Sequence, residues 1–210
     1  MTDMAAPSSS PRELLMLAGE RLLAEHGDQV SLRDIALAAG QRNNSAVNYY
    51  FGSRDGLIEA IIEWRSKSME DQRLAGLATL EATGAPDDMA SLVRILVVPL
   101  LTEPRRQGST HYARFLERVR WHPAIRHGLE SDDRWPGTRI ITMRLQRALG
   151  DLQPDVSAAR IAALSTAFFG LGADRERAIE DGKTPLEVEE IIAMLVGMLT
   201  AAQAGVAVSR

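Results

Sequence analysis

The chain contains no cysteine. That removes disulfides, thiolate nucleophiles and cysteine-ligated zinc together, leaves stability to packing, and fits a reducing, cytoplasmic setting. It also lacks a basic, apolar leader: MTDMAAPSSSP carries an acid at Asp3 and no hydrophobic core segment. No later stretch approaches about 18 uncharged apolar residues, so neither export nor a membrane partner is expected. Alternating apolar and polar residues, and the Asn-Gly or Asp-Gly pairs of tight hairpins between such runs, are absent, which argues against strands. Nucleophile-elbow, P-loop, dinucleotide-binding and HExxH zinc motifs are missing as well. His26, His111, His122 and His127 have no compact ligand spacing. The expectation is a non-enzyme with no catalytic residues, no cofactor and no metal.

Positive charge is not in excess either: 24 Lys and Arg stand against 28 Asp and Glu, a formal net charge of −4. Bulk electrostatics therefore gives no support to a polyanionic partner, and any such function must rest on local placement. What the chain does have is the composition of an ordinary folded protein, with 45% hydrophobic and 25% charged residues over 210 positions. That length suits a small domain joined to a larger one.

Helical signals recur along it. Residues 1–10, with Pro7 and the run Ser8-Ser9-Ser10, read as a flexible arm ending in an N-cap ahead of Pro11. Leu14, Leu15, Ala18, Leu22 and Leu23 recur at threes and fours and predict a first helix to about Glu25, stopped by Gly27. Ser31 with Asp34 opens a compact second helix that Gly40 ends. Gln41-Arg42-Asn43-Asn44 makes a polar turn, and Ser45 to Phe51 a third helix with Val47 and Phe51 on its buried side. Ser53 caps a fourth, continuing past Met69. Beyond the breaker Gly84 to Asp88 come an apolar segment from Met89 to Leu101, a Pro- and Gly-bearing loop from Thr102 to Ser109, and helices over Thr110 to Arg120, Thr138 to Leu149, Ala158 to Ala178 and Leu186 to about Ala204. The fold class is all-α, an N-terminal three-helix domain over 11–55 followed by a larger helical bundle over 56–210.

Helix, tight turn and short helix is the arrangement that braces one helix on the DNA backbone while the next enters the major groove. The third helix is unusually polar for that role to be accidental. Asn pairs bidentately with adenine, Arg with guanine, and hydroxyls suit phosphates or base edges. The run Ser31-Leu32-Arg33-Asp34-Ile35-Ala36, then Ala39-Gly40, then Tyr49-Tyr50-Phe51-Gly52-Ser53-Arg54-Asp55-Gly56-Leu57 resembles the DNA-binding segment of the TetR family over about Glu13 to Ile62. The resemblance implies a homodimeric, ligand-responsive repressor of a palindromic double-stranded operator. Carried over by position, it implies Asn44, Ser45 and Asn48 as base readers, and Ser31, Arg42, Tyr50 and Arg54 as phosphate contacts. Tyr49 is expected to pack. The turn holds one residue more than the commonest family pattern, and Asn48 replaces the usual first aromatic of the reading helix. Asn43-Asn44 also serve as simple turn formers, and a solvated polar face on an all-α protein-interaction module without DNA binding is the alternative.

In the larger part, Phe168, Phe169 and Leu171 with Gly170, Gly172 and Ala173 make a surface too wide for one neighbour. The resemblance implies a homodimer through 158–178 and 186–204. An effector pocket between the middle helices is the usual small-molecule site of a bundle. His111, Tyr112, Phe115, Arg118, Val119 and His122, on or near one helix, are the candidates to line it, for an unknown small-molecule effector; core packing is the plain alternative for each.

Overall fold

A computed structural model describes residues 10–43, 45–84, 88–106, 109–125 and 134–202 of the chain. The proposed arm over 1–9 lies outside the described residues. Every regular element among those described is helical: α1 (Pro11–His26), a 3-10 turn (Gly27–Gln29), α2 (Leu32–Ala38), α3 (Ala46–Phe51), α4 (Arg54–Thr83), α5 (Met89–Arg106), α6 (Tyr112–Val119), α7 (Pro136–Ala148), α8 (Pro154–Glu180) and α9 (Val188–Thr200).

The caps follow the local chemistry. The Ser10 hydroxyl accepts from the Glu13 N–H at 3.2 Å while the Glu13 carboxylate accepts from the Ser10 N–H at 2.8 Å, and Ser31 and Asp34 repeat this reciprocal arrangement at the start of α2. Ser53 caps α4 by accepting from Gly56 N–H at 3.0 Å. Gly27 and Gly40 take positive φ, 60° and 69°, where the chain leaves α1 and α2.

α4 is the frame of the molecule. Its 30 residues, about 45 Å at 1.5 Å per residue, run from the N-terminal helices into the body. Leu57, Ile58 and Ile61 are buried at its beginning and Met69, Leu77 and Leu80 further along. The approach of α1 is close at Gly19, where an added Cβ would stand 3.0 Å from Leu57 Cδ2. The short α6 is wedged between α1 and α8, with Tyr112, Phe115 and Leu116 buried.

Several boundaries differ from the sequence reading. α5 continues to Arg106 through the stretch expected as a loop from Thr102, despite Pro99 and Pro104. Burial of Leu92, Val93, Val97, Leu100 and Leu101 outweighs the missing proline N–H groups. α8 begins four residues early because Pro154 suits a first helical position, and α9 is shorter at both ends than 186–204. An arginine, Arg175, donates to the Leu186 carbonyl and holds the connecting segment outside the helix. α8 also corrects the expectation that no segment is long and apolar enough to cross a membrane: an 18-residue window reaches a mean hydropathy of 1.4. Its Leu164, Phe168, Phe169, Gly172 and Ala173 are buried within the protein, while two thirds of that window is not.

Candidate nucleic-acid interface and apolar cavity

α3 is two-faced. Ala46 and Val47 are buried, Phe51 packs against the core, and Ser45, Asn48 and Tyr49 are exposed. Positions 45, 48 and 49 are one helical turn apart and share the outward face, so burial of Val47 decides what α3 presents to solvent. Arg42 and Tyr50 flank this face and are also exposed; Asn44 lies outside the described residues. In the turn, the Asn43 carboxamide oxygen accepts from the Ser45 N–H at 2.9 Å, so Asn43 is a turn former.

Three residues are placed differently from expectation. Tyr49, expected to pack, is 81% exposed and touches Tyr50 only edge to face, with ring centroids 5.0 Å apart. It is the residue of this face that the motif missed, and the helical phase set by Val47 was the available signal. Arg54, expected on phosphate, instead forks onto two carbonyls of the turn between α1 and α2: Nη1 donates to Val30 O at 2.6 Å and Nη2 to Gly27 O at 2.9 Å, with Asp28 at 3.5 Å. Ser31, expected to offer its hydroxyl and N–H to phosphate, gives both to the Asp34 carboxylate, at 2.6 and 3.1 Å. Those bonds hold the Asp34 carboxyl below the usual range.

Behind α3, the junction with α4 is tight. The Phe51 carbonyl oxygen lies 2.1 Å from where a Cβ on Gly56 would be, so the glycine of the Ser53-Arg54-Asp55-Gly56 run admits the end of α3. α1 joins α4 through a buried ion pair, Arg65 Nε donating to Glu20 Oε2 at 2.7 Å, and the Ser109 hydroxyl donates to the other oxygen.

The body contains an apolar cavity of about 90 Å³ between α4, α5, α6, α7 and α8, by itself smaller than an ordinary small-molecule site. Met69, Leu100, Tyr112, Leu116, Trp135 and Phe168 are among its walls. Of the six residues expected to line such a pocket, only Tyr112 does. The phase of α6 explains the rest: Tyr112 and Leu116 face the cavity, whereas Phe115 is buried in the core and Val119 in the same cluster. His111 is half-buried beside Arg114 in a surface recess with Glu20, Arg118 is exposed and passes the Gly27 turn, and His122 stands 3.5 Å from Asp55 at the start of α4. The expected pocket-lining set therefore splits, and His111, Arg118 and His122 belong to the contact of α6 with the N-terminal helices and the start of α4.

The cavity's polar groups are engaged internally. Arg73 donates to Glu70 at 2.7 Å, to Leu96 O at 3.1 Å and to Thr138 at 3.2 Å. Glu70 in turn accepts from the N–H groups of Gly137 and Thr138, which anchors the start of α7. Burial pushes the Tyr112 hydroxyl well above its ordinary range, so it stays protonated. No group of His, Cys, Asp and Glu suited to a metal occurs among the described residues.

Residues 15–61 match the family described as bacterial regulatory proteins, tetR family. No curated protein matches the chain.

Proposed function

We propose, from the premise that this chain is a regulator of the tetR family whose N-terminal helices form the DNA-binding domain, that it is a homodimeric repressor released from a palindromic operator by a small molecule. The observation that carries the reading is the two-faced α3, with Ser45, Asn48 and Tyr49 outward over a buried Val47. Ser45 and Asn48 are the base readers, Asn44 joining them by position, while Arg42, Tyr49 and Tyr50 hold the phosphates. Arg54 and Ser31 set the frame in which α3 stands.

Support for the dimer comes from α8 and α9. Ala159, Ala162, Ala163 and Thr166 are exposed on α8 and Ala193, Met194 and Gly197 on α9, and a Cβ at Gly170 or Gly197 would meet nothing. This face of small, uncharged side chains, of which Ala159, Ala162 and Thr166 also border a groove against α7, suits a second copy of itself. Support for release comes from α4, which holds the α3 junction at Gly56 and lines the cavity at Ile62, Ser66, Met69 and Arg73. A ligand that displaces α4 thus changes the separation of the two readers. The protein acts in the cytoplasm and uses neither metal nor cofactor.

Footprinting on the DNA flanking its gene, with the mass of the complex measured alongside, tests this. An inverted repeat is expected to be protected by one dimer, with affinity falling steeply as salt rises. Sequence-blind, micromolar binding at every salt concentration would overturn it.

A further inference from the structure

The cavity opens toward a wide groove between the end of α6, α7 and α8, and Ile125, Thr142, Ile161, Ser165 and Phe169 border both spaces. Arg120, Trp121, Arg139 and Gln146 stand at the outer part of this groove, and no carboxylate lines the groove or the cavity among the described residues. In a chain with more acids than bases, that is a local reversal of charge. Arg120 Nε is buried without a hydrogen-bond partner, and its guanidinium leans on the Trp121 ring at 5.3 Å. Arg139 likewise has no side-chain partner among the described residues and is exposed. Arg54, Arg73, Arg94, Arg114 and Arg177, by contrast, are paired with acids or carbonyls.

Resting on the effector reading above, we propose that the ligand is an amphiphilic anion, a carboxylate on an apolar chain or ring system. Its apolar part lies along the walls that the groove and the cavity share, and its carboxylate meets Arg120 and Arg139 at the mouth. A charge inside the cavity would have to be desolvated against walls whose polar atoms are already engaged, and nothing offsets that cost there. The Thr142 hydroxyl donates to Thr138 O at 2.9 Å and the Ser165 hydroxyl to Ala162 O at 2.9 Å, so even the border hydroxyls give their protons to their own helices. At the mouth the head group keeps partial solvation and gains charge-assisted bonds from the Arg120 and Arg139 guanidinium groups.

Calorimetry and tryptophan fluorescence on the full chain, with decanoate, decanol and decyltrimethylammonium below their micelle-forming concentrations, test it. Decanoate is expected to bind about tenfold or more tightly than decanol, and the ammonium weakest. Arg120→Gln with Arg139→Gln is expected to bring decanoate down to the decanol level while leaving decanol binding and the dimer unchanged. Equal affinity for decanoate and decanol, binding of none of the probes, or unaltered decanoate binding by the double variant overturns the proposal. So does a double variant that falls apart into monomers, which would assign the arginines to the subunit contact. Operator binding by the ligand-free protein is scored separately, so loss of the repressor reading is distinguishable from loss of this one.

Discussion

Glu20 of α1 and Arg65 of α4 meet at 2.7 Å with both side chains closed off from solvent, so the reading domain is tied to the body by a charge pair rather than by apolar packing alone. Breaking one side leaves the other charge buried without its counterpart. Glu20→Leu is expected to cost about 3–5 kcal/mol in urea unfolding, and Glu20→Leu with Arg65→Met to recover part of that loss. A double variant no more stable than the single would show that the pair is not coupled.

The Phe51 carbonyl against Gly56 gives a sharper test of how α3 is held. A Cβ at 2.1 Å from a backbone oxygen forces backbone to move, since no side chain can yield instead. Gly56→Ala is expected to lower stability by about 2 kcal/mol or more and to weaken operator binding beyond what the loss of folded protein explains. Unchanged affinity per folded molecule would free α3 from this junction.

For Arg54, the two carbonyl bonds make stability, not salt dependence, the quantity that responds. Arg54→Ala is expected to cost about 1.5–3 kcal/mol, and Arg54→Lys to restore little because one ammonium does not span Gly27 O and Val30 O. The slope of log affinity against log salt should be unaltered. A slope smaller by about one would return Arg54 to the phosphates.

That reassignment marks where sequence reading reaches its limit. Ser10, Ser31, Ser53, Gly27 and Gly40 punctuate the first helices through bonds three or four residues away, so they were legible without a fold. The partners of Arg54 lie 24 and 27 residues back, Glu20 lies 45 residues before Arg65, and Arg73 reaches Thr138 on another helix as well as the nearby Glu70. Nothing local distinguishes such an arginine from one meant for phosphate. The same holds for α6, where His111, Phe115, Arg118 and His122 share a short segment with Tyr112 and only helical phase against α1 and α8 separates them. Pro104 misled in the opposite direction, because α5 continues through it to Arg106 over a valid local signal for a loop.

On the outer face of α3, Asn48 and Arg42 separate specificity from affinity. Asn48→Ala is expected to cost about 1–3 kcal/mol on the operator and nearly nothing on unrelated DNA, lowering the ratio of the two. Arg42→Ala should weaken both alike and reduce the salt slope by about one. The reverse pattern, measured by anisotropy on operator and scrambled duplexes, would exchange their roles.

His111 gives the molecule a pH dependence of known sign. Its ring is half-buried, Nδ1 lies 3.0 Å from an Arg114 nitrogen, and burial first and the Arg114 charge second hold it below its ordinary 6.5. The unfolded chain therefore takes up the proton at higher pH than the folded one. Stability is complete above about 6.5 and falls as the pH drops through that value toward the folded pKa. Glu176, pushed up by burial, acts in the opposite sense just above 4.5, so the difference between wild type and His111→Gln isolates the histidine. Urea midpoints should decline between pH 7.5 and 5.5 in the wild type and decline less in the variant; parallel declines would place the responsible group elsewhere.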